Sequence, residues 1–550
     1  MRIKEVFLSK ETLLERPVNN LVFERLLTRL AGNTLSFPHP AEDLKVLQTH
    51  ISIVLLAGDF AYKIKKPVNF PFVDYSTLNK RRDFCQLEVD LNRRLSENLY
   101  LGVVPITRLG GQLSMEGRGV VVEYAVKMRR LPDDNRLNCL LEKGSLPGDF
   151  WGNLATRLVH FYREAARGPE IAQWGDFISI QEDWEQILAQ LTLFPPEILE
   201  PSFLEKLGTL ARENLTRNKT LISKRTPKTR DGHGDLRLEH IYYFPGESKP
   251  GKLAIIDCLE FNPRYRCGDP LLDIAFLAMD LENSGFRRES RIFTGEFMKK
   301  TADSEGIQLM DFYTAYRHLV RGLVRGLQAR EEDVSEQEKE TAANKSRVHF
   351  KQALIKLEKP GLRPCLILLG GLPGAGKSTL SHQLVQRENF QVFSSDSVRK
   401  ELAGQPLDSK PGTGFEKGIY KPEWTEKTYQ ALWSRAESAL QRDQRVLVDA
   451  SFWNQASREH FLNLARGLNL PFLFFVCMIS HETAEKRLSE NRHFASDADL
   501  GVFKRMAARW EPPSPELGTL FLNTERPIEV NLSEIHRVLG EQGLAADTEQ

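Results

Sequence analysis

The sequence predicts two domains of different class, an α+β domain followed by an α/β domain with a parallel sheet. Three observations carry this. In the first 330 residues short β-like runs come early and long helical patterns late, an order that segregates sheet from helices. After residue 363 strands and helices alternate, as in a parallel sheet covered on both faces. Between the two lies QAREEDVSEQEKETAANKSRVHFKQALIKLEKPGLRP, a mostly polar stretch ending in Pro and Gly, which reads as a boundary. A chain of 550 residues is also too long for one ordinary core.

In the first half, HISIVLLAG, FAYKIKKPV and GVVVEYAVKM read as strands, and DFWGNLATRLVHFYREAA and FYTAYRHLVRGLVRGLQA as helices. NKSRVHFKQALIKLEK places Val348, Ala353, Leu354 and Leu357 at helical spacing, so the boundary is expected to contain an acidic loop and a helix. The expected division is 1–335 for the first domain, 336–362 for a solvated linker with a helix, and 363–540 for the second. There the runs CLILLGG, FQVFSSD, QRVLVDAS and PFLFFVCMIS are the strands.

Composition excludes several classes. Hydrophobic residues at 41% and charged residues at 27% are ordinary globular usage, against disorder or a fibre. Lys+Arg 75 against Asp+Glu 74 leaves no overall field to draw in nucleic acid or an anionic membrane. The six cysteines form no CxxC pair, so neither a zinc ribbon nor a disulfide framework is indicated. The opening MRIKEVFLSKETLLERP is charged throughout, and no stretch approaches a membrane span; a cytoplasmic protein with no membrane partner is expected.

Residues 371–379 read GLPGAGKST, following CLILLG and opening a helical pattern. This is a complete GxxxxGK[ST] phosphate-binding loop in its proper setting. Gly371, Leu372, Pro373, Gly374, Ala375 and Gly376 allow backbone N–H groups to turn inward around phosphates, and the helix N-terminus adds positive charge. Lys377 is expected on the β/γ-phosphates. Ser378, with Thr379 beside it, is expected to hold Mg²⁺ through its hydroxyl, and Asp449 at the end of RVLVDAS is the matching carboxylate. The nucleotide is ATP or GTP.

In FSSDSVRKEL, Asp396 ends a predicted strand and Arg399 follows one turn later, so both can point into the crevice at the carboxyl edge of the sheet. This Asp-x-x-Arg pair after GxPGxGKST resembles polynucleotide kinases and zeta-toxin-like small-molecule kinases. The resemblance runs through VLVDASFWN and the lid-like AEKRLSENRHFASDADLGVFKRM. It implies that Asp396 is the base for an acceptor hydroxyl, that Arg399 grips acceptor or transferring phosphate, and that Arg487 and Arg492 bind phosphate. GQPLDSKPGTGFEKGIYKPEWT, 404–425, lies where an acceptor flap would be placed.

The first half carries HGDLRLEHI at 233–241. Histidine, a spacer and Asp-Leu open a protein-kinase-type catalytic loop, with Asp235 accepting the proton of an attacking hydroxyl. Asp257, after the apolar run of KLAIIDCLEF, stands where that pattern puts its metal-binding Asp. Upstream, FAYKIKKPV resembles the strand lysine motif: Lys63 would orient the α/β-phosphates and pair with Glu88, although alternation puts Lys65 on the same face. EYAVKMRRLP reads as the hinge. In CGDPLLDIAFLAMDLE, Asp269 and Asp273 are expected to brace the loop through backbone N–H groups. This ordered set resembles the aminoglycoside phosphotransferase branch of the protein-kinase-like fold, over residues 40 to 330. The full expectation is therefore an α+β protein-kinase-like domain followed by an α/β P-loop NTPase domain.

Two departures mark the first half. No GxGxxG precedes Lys63, Gly58 being the sole glycine between Asn33 and that lysine. His240 occupies the place of the second metal-binding residue, normally Asn. Three readings follow: one Mg²⁺ held by Asp257, a softer metal such as Mn²⁺ or Zn²⁺, or a kinase fold without the reaction. The expected function is transfer of the γ-phosphoryl group of ATP to a hydroxyl of a small molecule, with two nucleotide-binding modules. The alternatives are a regulatory ATP-binding protein, or a 5′-hydroxyl polynucleotide kinase in the second half. Nucleic acid is not favoured, since aromatic and basic residues do not interleave.

Overall fold

Period-two alternation in the first 130 residues builds a six-stranded antiparallel sheet. Its strands are β1 (Lys45–Gln48), β2 (Ser52–Ala57), β3 (Phe60–Lys65), β4 (Tyr100–Leu109), β5 (Gln112–Met115) and β6 (Val120–Arg129), in spatial order β1-β2-β3-β6-β4-β5. The computed structural model describes residues 35–546 apart from 42–43, 50, 71–72, 246–252, 332–334, 407–418, 420, 491–499 and 515–516. The chain divides into two compact units, Met1–Leu357 and Glu358–Gln550.

On β3, Tyr62 and Ile64 point to one face, where they join Ile53, Leu55 and Ala57 of β2 in a small core. Lys63 and Lys65 therefore point to the other. That face is covered by α1 (Leu78–Arg93), whose N-cap Thr77 accepts a hydrogen bond from Lys80 N, satisfying one of the free donors of the first turn. Cys85 and Val89 of α1 pack on Tyr100 and Val126. Glu88, on the same helix face, is fully buried.

The rest of the first unit is mainly helical, with short strand pairs Ile241–Tyr243/Leu253–Ile255 and Arg230–Asp231/Cys267–Gly268; its helices include α2 (Phe150–Glu164), α3 (Pro201–Arg225), α4 (Pro270–Asn283), α5 (Arg287–Thr301), α6 (Met310–Gln328) and α7 (Glu336–Leu357). α4 is buried almost all round, with Ile274 through Met279 inside the main core, which fixes the chain immediately after the Asp257 segment. The stretch expected as a solvated linker differs in one respect. Its helix forms, but Phe350, Ala353, Leu354 and Leu357 of α7 are buried in the core of the first unit, and Ser346 Oγ donates to Gly322 O at 2.7 Å. An apolar stripe set within a polar sequence was enough to dock it.

The second unit is a five-stranded parallel sheet with helices between its strands. It contains β7 (Cys365–Gly371), α8 (Lys377–Glu388), β8 (Gln391–Ser394), α9 (Ser395–Leu402), α10 (Pro422–Gln441), β9 (Arg445–Asp449), α11 (Gln455–Gly467), β10 (Phe472–Met478), α12 (His481–Glu490), α13 (Leu500–Ala508), β11 (Thr519–Asn523) and α14 (Ile528–Glu541). The spatial order is β8-β9-β7-β10-β11. Every residue of β7 and β9 is buried, as continuous apolar runs covered on both faces should be. Of these five strands, β11 escaped the sequence reading. It is an edge strand in which Leu522 alone is buried, so it lacks a readable apolar run. Among the described residues no helix is long and apolar enough to cross a membrane.

Candidate functional site

The second unit places its phosphate loop at the carboxyl end of the central strand β7, between β9 and β10. This is where an open α/β sheet binds ligands. Gly371 has φ +141°, and a Cβ there would meet Cys477 O at 2.6 Å, so only glycine allows the chain to leave β7 this close to β10. Gly376, at φ +81°, caps α8 in the left-handed region. Lys377 Nζ donates to Gly371 O at 2.9 Å and Leu372 O at 3.1 Å, so the ammonium lies inside the loop.

Register aligns Leu369 with Asp449 and Asp449 with Ser394, which brings three strand ends together. Ser378 Oγ donates to Asp449 Oδ2 at 3.3 Å. A hydroxyl and a buried carboxylate at this spacing beside the loop are the oxygen donors a Mg²⁺–nucleotide requires. Burial pushes the Asp449 carboxyl up to about 6, against the pull of Lys377; the charge of Asp396 adds to the rise, which also places Asp396 in the crevice. Asp396 lies in the first turn of α9.

Arg399 is buried, and its Nη1 donates to Ile419 O at 2.9 Å and to Thr425 Oγ1 at 3.3 Å, tying α9 to the start of α10. Arg487 on α12 donates to Thr524 O at 2.8 Å, and its Nη1 would lie 3.6 Å from a Cβ on Gly376, so the guanidinium flanks the phosphate loop. Arg492 and most of the 404–425 flap lie outside the described residues.

In the first unit, Lys63 Nζ lies 2.9 Å from Glu88 Oε1 and 2.6 Å from Asp257 Oδ1. Lys65 Nζ lies 2.7 Å from Glu88 Oε2 and also bonds Glu260. The alternation that left the two lysines unresolved thus puts both on one carboxylate. They differ in surroundings: Lys65 is sealed, and Lys63 faces the Asp257 segment with 15% of its side chain exposed. Glu260, three residues beyond Asp257, escaped the sequence reading because only the folded sheet brings it to β3. Ahead of Lys63, two residues, Gly58 and Asp59, join β2 to β3, a turn too short to wrap phosphates.

Asp273 accepts from His233 N at 2.7 Å and from Gly234 N at 2.9 Å, bracing the HGD turn as expected of it. Asp269 does not. It caps α4 by accepting from Leu271 N and pairs with Arg225. His233 is wholly buried and neutral. Its Nε2–H donates to Ile256 O at 3.0 Å, while Nδ1 accepts from Asp235 N at 3.2 Å. The imidazole so links the Asp235 turn to the residue before Asp257, and burial first of all pushes it down to about 4. Asp257 has φ +64°, a left-handed conformation that a side-chain-bearing residue holds only when its surroundings fix it.

His240 contributes an unexpected electronic state. Its Nδ1 is 2.8 Å from Asp235 O, which can only accept, and its Nε2 is 3.3 Å from Arg237 Nη2, which can only donate. Both contacts select the neutral tautomer with hydrogen on Nδ1 and a lone pair on Nε2. The same nitrogen stands 3.5 Å from Asp257 Oδ2. Ligand atoms of Asp235, His240 and Asp257 all lie within 4.8 Å of one another. Two carboxylates and one imidazole nitrogen fit a divalent cation, and the nitrogen suits Mn²⁺ or Zn²⁺ better than Mg²⁺.

Arg237, next but one to Asp235, was missed by the sequence reading. Its Nε and Nη2 hold Asp235 Oδ1 and Oδ2 at 2.9 and 3.1 Å, and its Nη1 pairs with Glu239. Burial alone would raise the Asp235 carboxyl; the charges of Arg237 and Arg321 outweigh it and hold the group low.

The second unit is thus a P-loop NTPase domain of α/β class, built around a nucleotide-binding loop. A family model described as an AAA domain matches residues 366–513. The chain belongs to the same family as the uncharacterised protein Rv2004c of Mycobacterium tuberculosis strain H37Rv, with which it is 30% identical over 477 residues, 86% of this chain and 91% of that one. An uncharacterised protein of Mycobacterium bovis matches to the same extent. Solved structures similar to parts of the chain include a sugar kinase from Janibacter sp. HTCC2649 (15% identity, 33% of this chain and 99% of that one, TM-score 0.26). A gluconokinase from Sinorhizobium meliloti 1021 aligns at 19% identity over 33% of this chain and 94% of that one, with TM-score 0.25.

Proposed function

We propose that the protein is an ATP-dependent phosphotransferase with two nucleotide-binding modules, whose first half has a protein-kinase-like fold of the aminoglycoside phosphotransferase type. The observation that carries the reading is the convergence of Lys63 on both Glu88 and Asp257, with Asp235 facing Asp257 across His240. One cation held by a helix carboxylate and pointed at a second carboxylate is the arrangement that orients the phosphates of a nucleotide. A divalent ion at Asp257 supplies neutralising charge. Lys63 holds the α/β-phosphates, Glu88 holds Lys63, and Asp235 receives the acceptor hydroxyl. Because Arg237 occupies both oxygens of Asp235, that carboxylate orients the hydroxyl more than it strips its proton, which suffices for a loose phosphoryl-transfer transition state.

In the second half, Lys377 and Arg487 hold phosphates, Ser378 and Asp449 hold Mg²⁺, and Asp396 accepts the proton of a second acceptor. Arg399 acts by fixing the entry to α10. ATP is favoured over GTP only by the kinase resemblance. A cytoplasmic location and a small-molecule acceptor complete the reading.

One observation favours a second reading, in which the first half binds a nucleotide or ligand without turnover: the two-residue turn ahead of Lys63 provides no phosphate cover. A γ-labelled phosphate transfer screen against pooled metabolites, sugars, aminoglycosides and 5′-hydroxyl oligonucleotides decides between them. Lys377→Ala should abolish one activity and Asp235→Asn another. An Asp235→Asn variant that keeps every activity would leave only the second reading for this half, and label on the oligonucleotides would make the second half a polynucleotide kinase.

A further inference from the structure

The backbone around Asp257 is held group by group. Ile256 N and Leu259 N donate to the carbonyls of His240 and His233 at 2.9 and 3.0 Å. The three remaining N–H groups between Ile255 and Leu259 donate to side chains from the end of α1 and the start of β4. Ile255 N donates to Ser96 Oγ at 2.9 Å, Cys258 N to Asn92 Oδ1 at 2.9 Å, and Asp257 N to Tyr100 Oη at 3.2 Å. All three of these side chains are buried. Buried backbone donors are usually answered by other backbone groups, so side-chain acceptors this dense mark a segment whose path is imposed from outside.

Asp257 needs that imposition more than its neighbours. Its φ of +64° lies in the left-handed region, which a residue with a side chain holds only when its surroundings fix it. Its side chain is 41% exposed, so packing does not aim the carboxylate. Yet the carboxylate faces two ways at once, with Oδ1 2.6 Å from Lys63 Nζ and Oδ2 3.5 Å from His240 Nε2. The direction of the Cα–Cβ bond decides whether both oxygens arrive, and the backbone sets that direction. Tyr100 is suited to fix it. Its ring packs with Cys85, Val89 and Val126. Burial, and then the charges of Glu88 and Asp257, push its phenol well above the usual range, so it stays protonated and its oxygen accepts.

We propose that Tyr100 is the positioning residue of the Asp257 metal site. By accepting from Asp257 N it holds the left-handed backbone that delivers one carboxylate oxygen to Lys63 and the other to a divalent ion shared with His240. This rests on the reading of Asp235, His240 and Asp257 as metal ligands. Ser96 and Asn92 hold residues that ligate nothing, and they guide the path of the segment without aiming the carboxylate.

The test is Mn²⁺ binding to the full chain, followed by electron paramagnetic resonance on a Ser378→Ala background that weakens the metal site of the other half. The background protein is compared with its Tyr100→Phe, Ser96→Ala and Asp257→Ala versions, and the thermal unfolding of each is recorded. Tyr100→Phe keeps the ring and loses only the acceptor. It should bind Mn²⁺ about tenfold or more weakly, as loss of a hydrogen bond that orients a ligand does, and the fine structure of the bound ion should change. Ser96→Ala should bind close to the background protein. Unchanged Mn²⁺ affinity in Tyr100→Phe overturns the proposal whatever its melting temperature does. Equal weakening by Ser96→Ala overturns it too, because the segment would then act as a whole. If the background protein binds no more Mn²⁺ than Asp257→Ala, the metal reading itself falls and takes the proposal with it. Should Tyr100→Phe not fold, a fluorinated tyrosine in place of Tyr100 keeps the hydroxyl. Its fluorine resonance should shift when Zn²⁺ is added to the background protein and stay fixed in Asp257→Ala; a resonance that Zn²⁺ moves in neither overturns the proposal.

Discussion

His240 Nε2 stands 3.5 Å from Asp257 Oδ2. With an Asp235 ligand atom within 4.8 Å of both, the two can share a divalent cation, for which a ring nitrogen suits Mn²⁺ better than Mg²⁺. Wild type should therefore bind Mn²⁺ in preference to Mg²⁺, and His240→Asn should lose about tenfold or more of its Mn²⁺ affinity. Electron paramagnetic resonance of bound Mn²⁺ on a Ser378→Ala background, which weakens the other metal site, reads this without turnover. Identical metal binding in the two proteins would remove His240 from the site.

Lys63 and Lys65 should separate by phenotype. Lys65→Met leaves Glu88 and Glu260 buried beside one missing cation and should cost about 3–5 kcal/mol of stability. Lys63→Met leaves Glu88 still bonded to Lys65. It should melt close to wild type yet lose about 100-fold or more in transfer by the first half. Thermal unfolding together with a transfer assay distinguishes them, and the reverse assignment would make Lys65 the phosphate-orienting residue.

Asp449 sets stability against nucleotide binding. A carboxyl whose folded pKa is raised holds its proton more tightly folded than unfolded, so the stability it contributes is present below its ordinary value of 3.8 and is lost as pH rises through about 6. Asp449→Asn should stabilise the second unit at pH 7 by roughly 3 kcal/mol and change it little at pH 4. The same variant should lose Mg²⁺-dependent nucleotide binding. A midpoint that falls at pH 7 would show that the charged carboxylate is compensated.

Asp273 answers two backbone donors of the HGD turn. Asp273→Ala strands both and should cost about 2–4 kcal/mol, with hydrogen exchange accelerated first at His233 and Gly234. Asp273→Asn, which keeps one acceptor oxygen, should recover part of the loss.

The elements that could be read from sequence were those whose signal is local. GLPGAGKST lies in one loop and DAS at one strand end, and continuous apolar runs announced β7, β9 and β10. In the first sheet β2, β3 and β6 were legible as β-like runs while β1, β4 and β5 were not, and alternation cannot rank two lysines on one face. His240 could be placed beside Asp235 by its position in the loop. Its tautomer could not, because that depends on the Asp235 carbonyl and Arg237 closing around the ring. Tyr100 lies far along the chain from Asp257 and has no motif of its own. The helix Glu336–Leu357 was misjudged as solvated because charge dominates its composition, while four apolar side chains decide its docking.

The double grip on Glu88 has a mechanical consequence. Lys65 holds this carboxylate without touching the outward-facing end of Lys63, so α1 stays latched to the sheet whatever Lys63 is doing. A helix anchored by a second, sealed lysine is held to the sheet even where Lys63 lets go of Glu88.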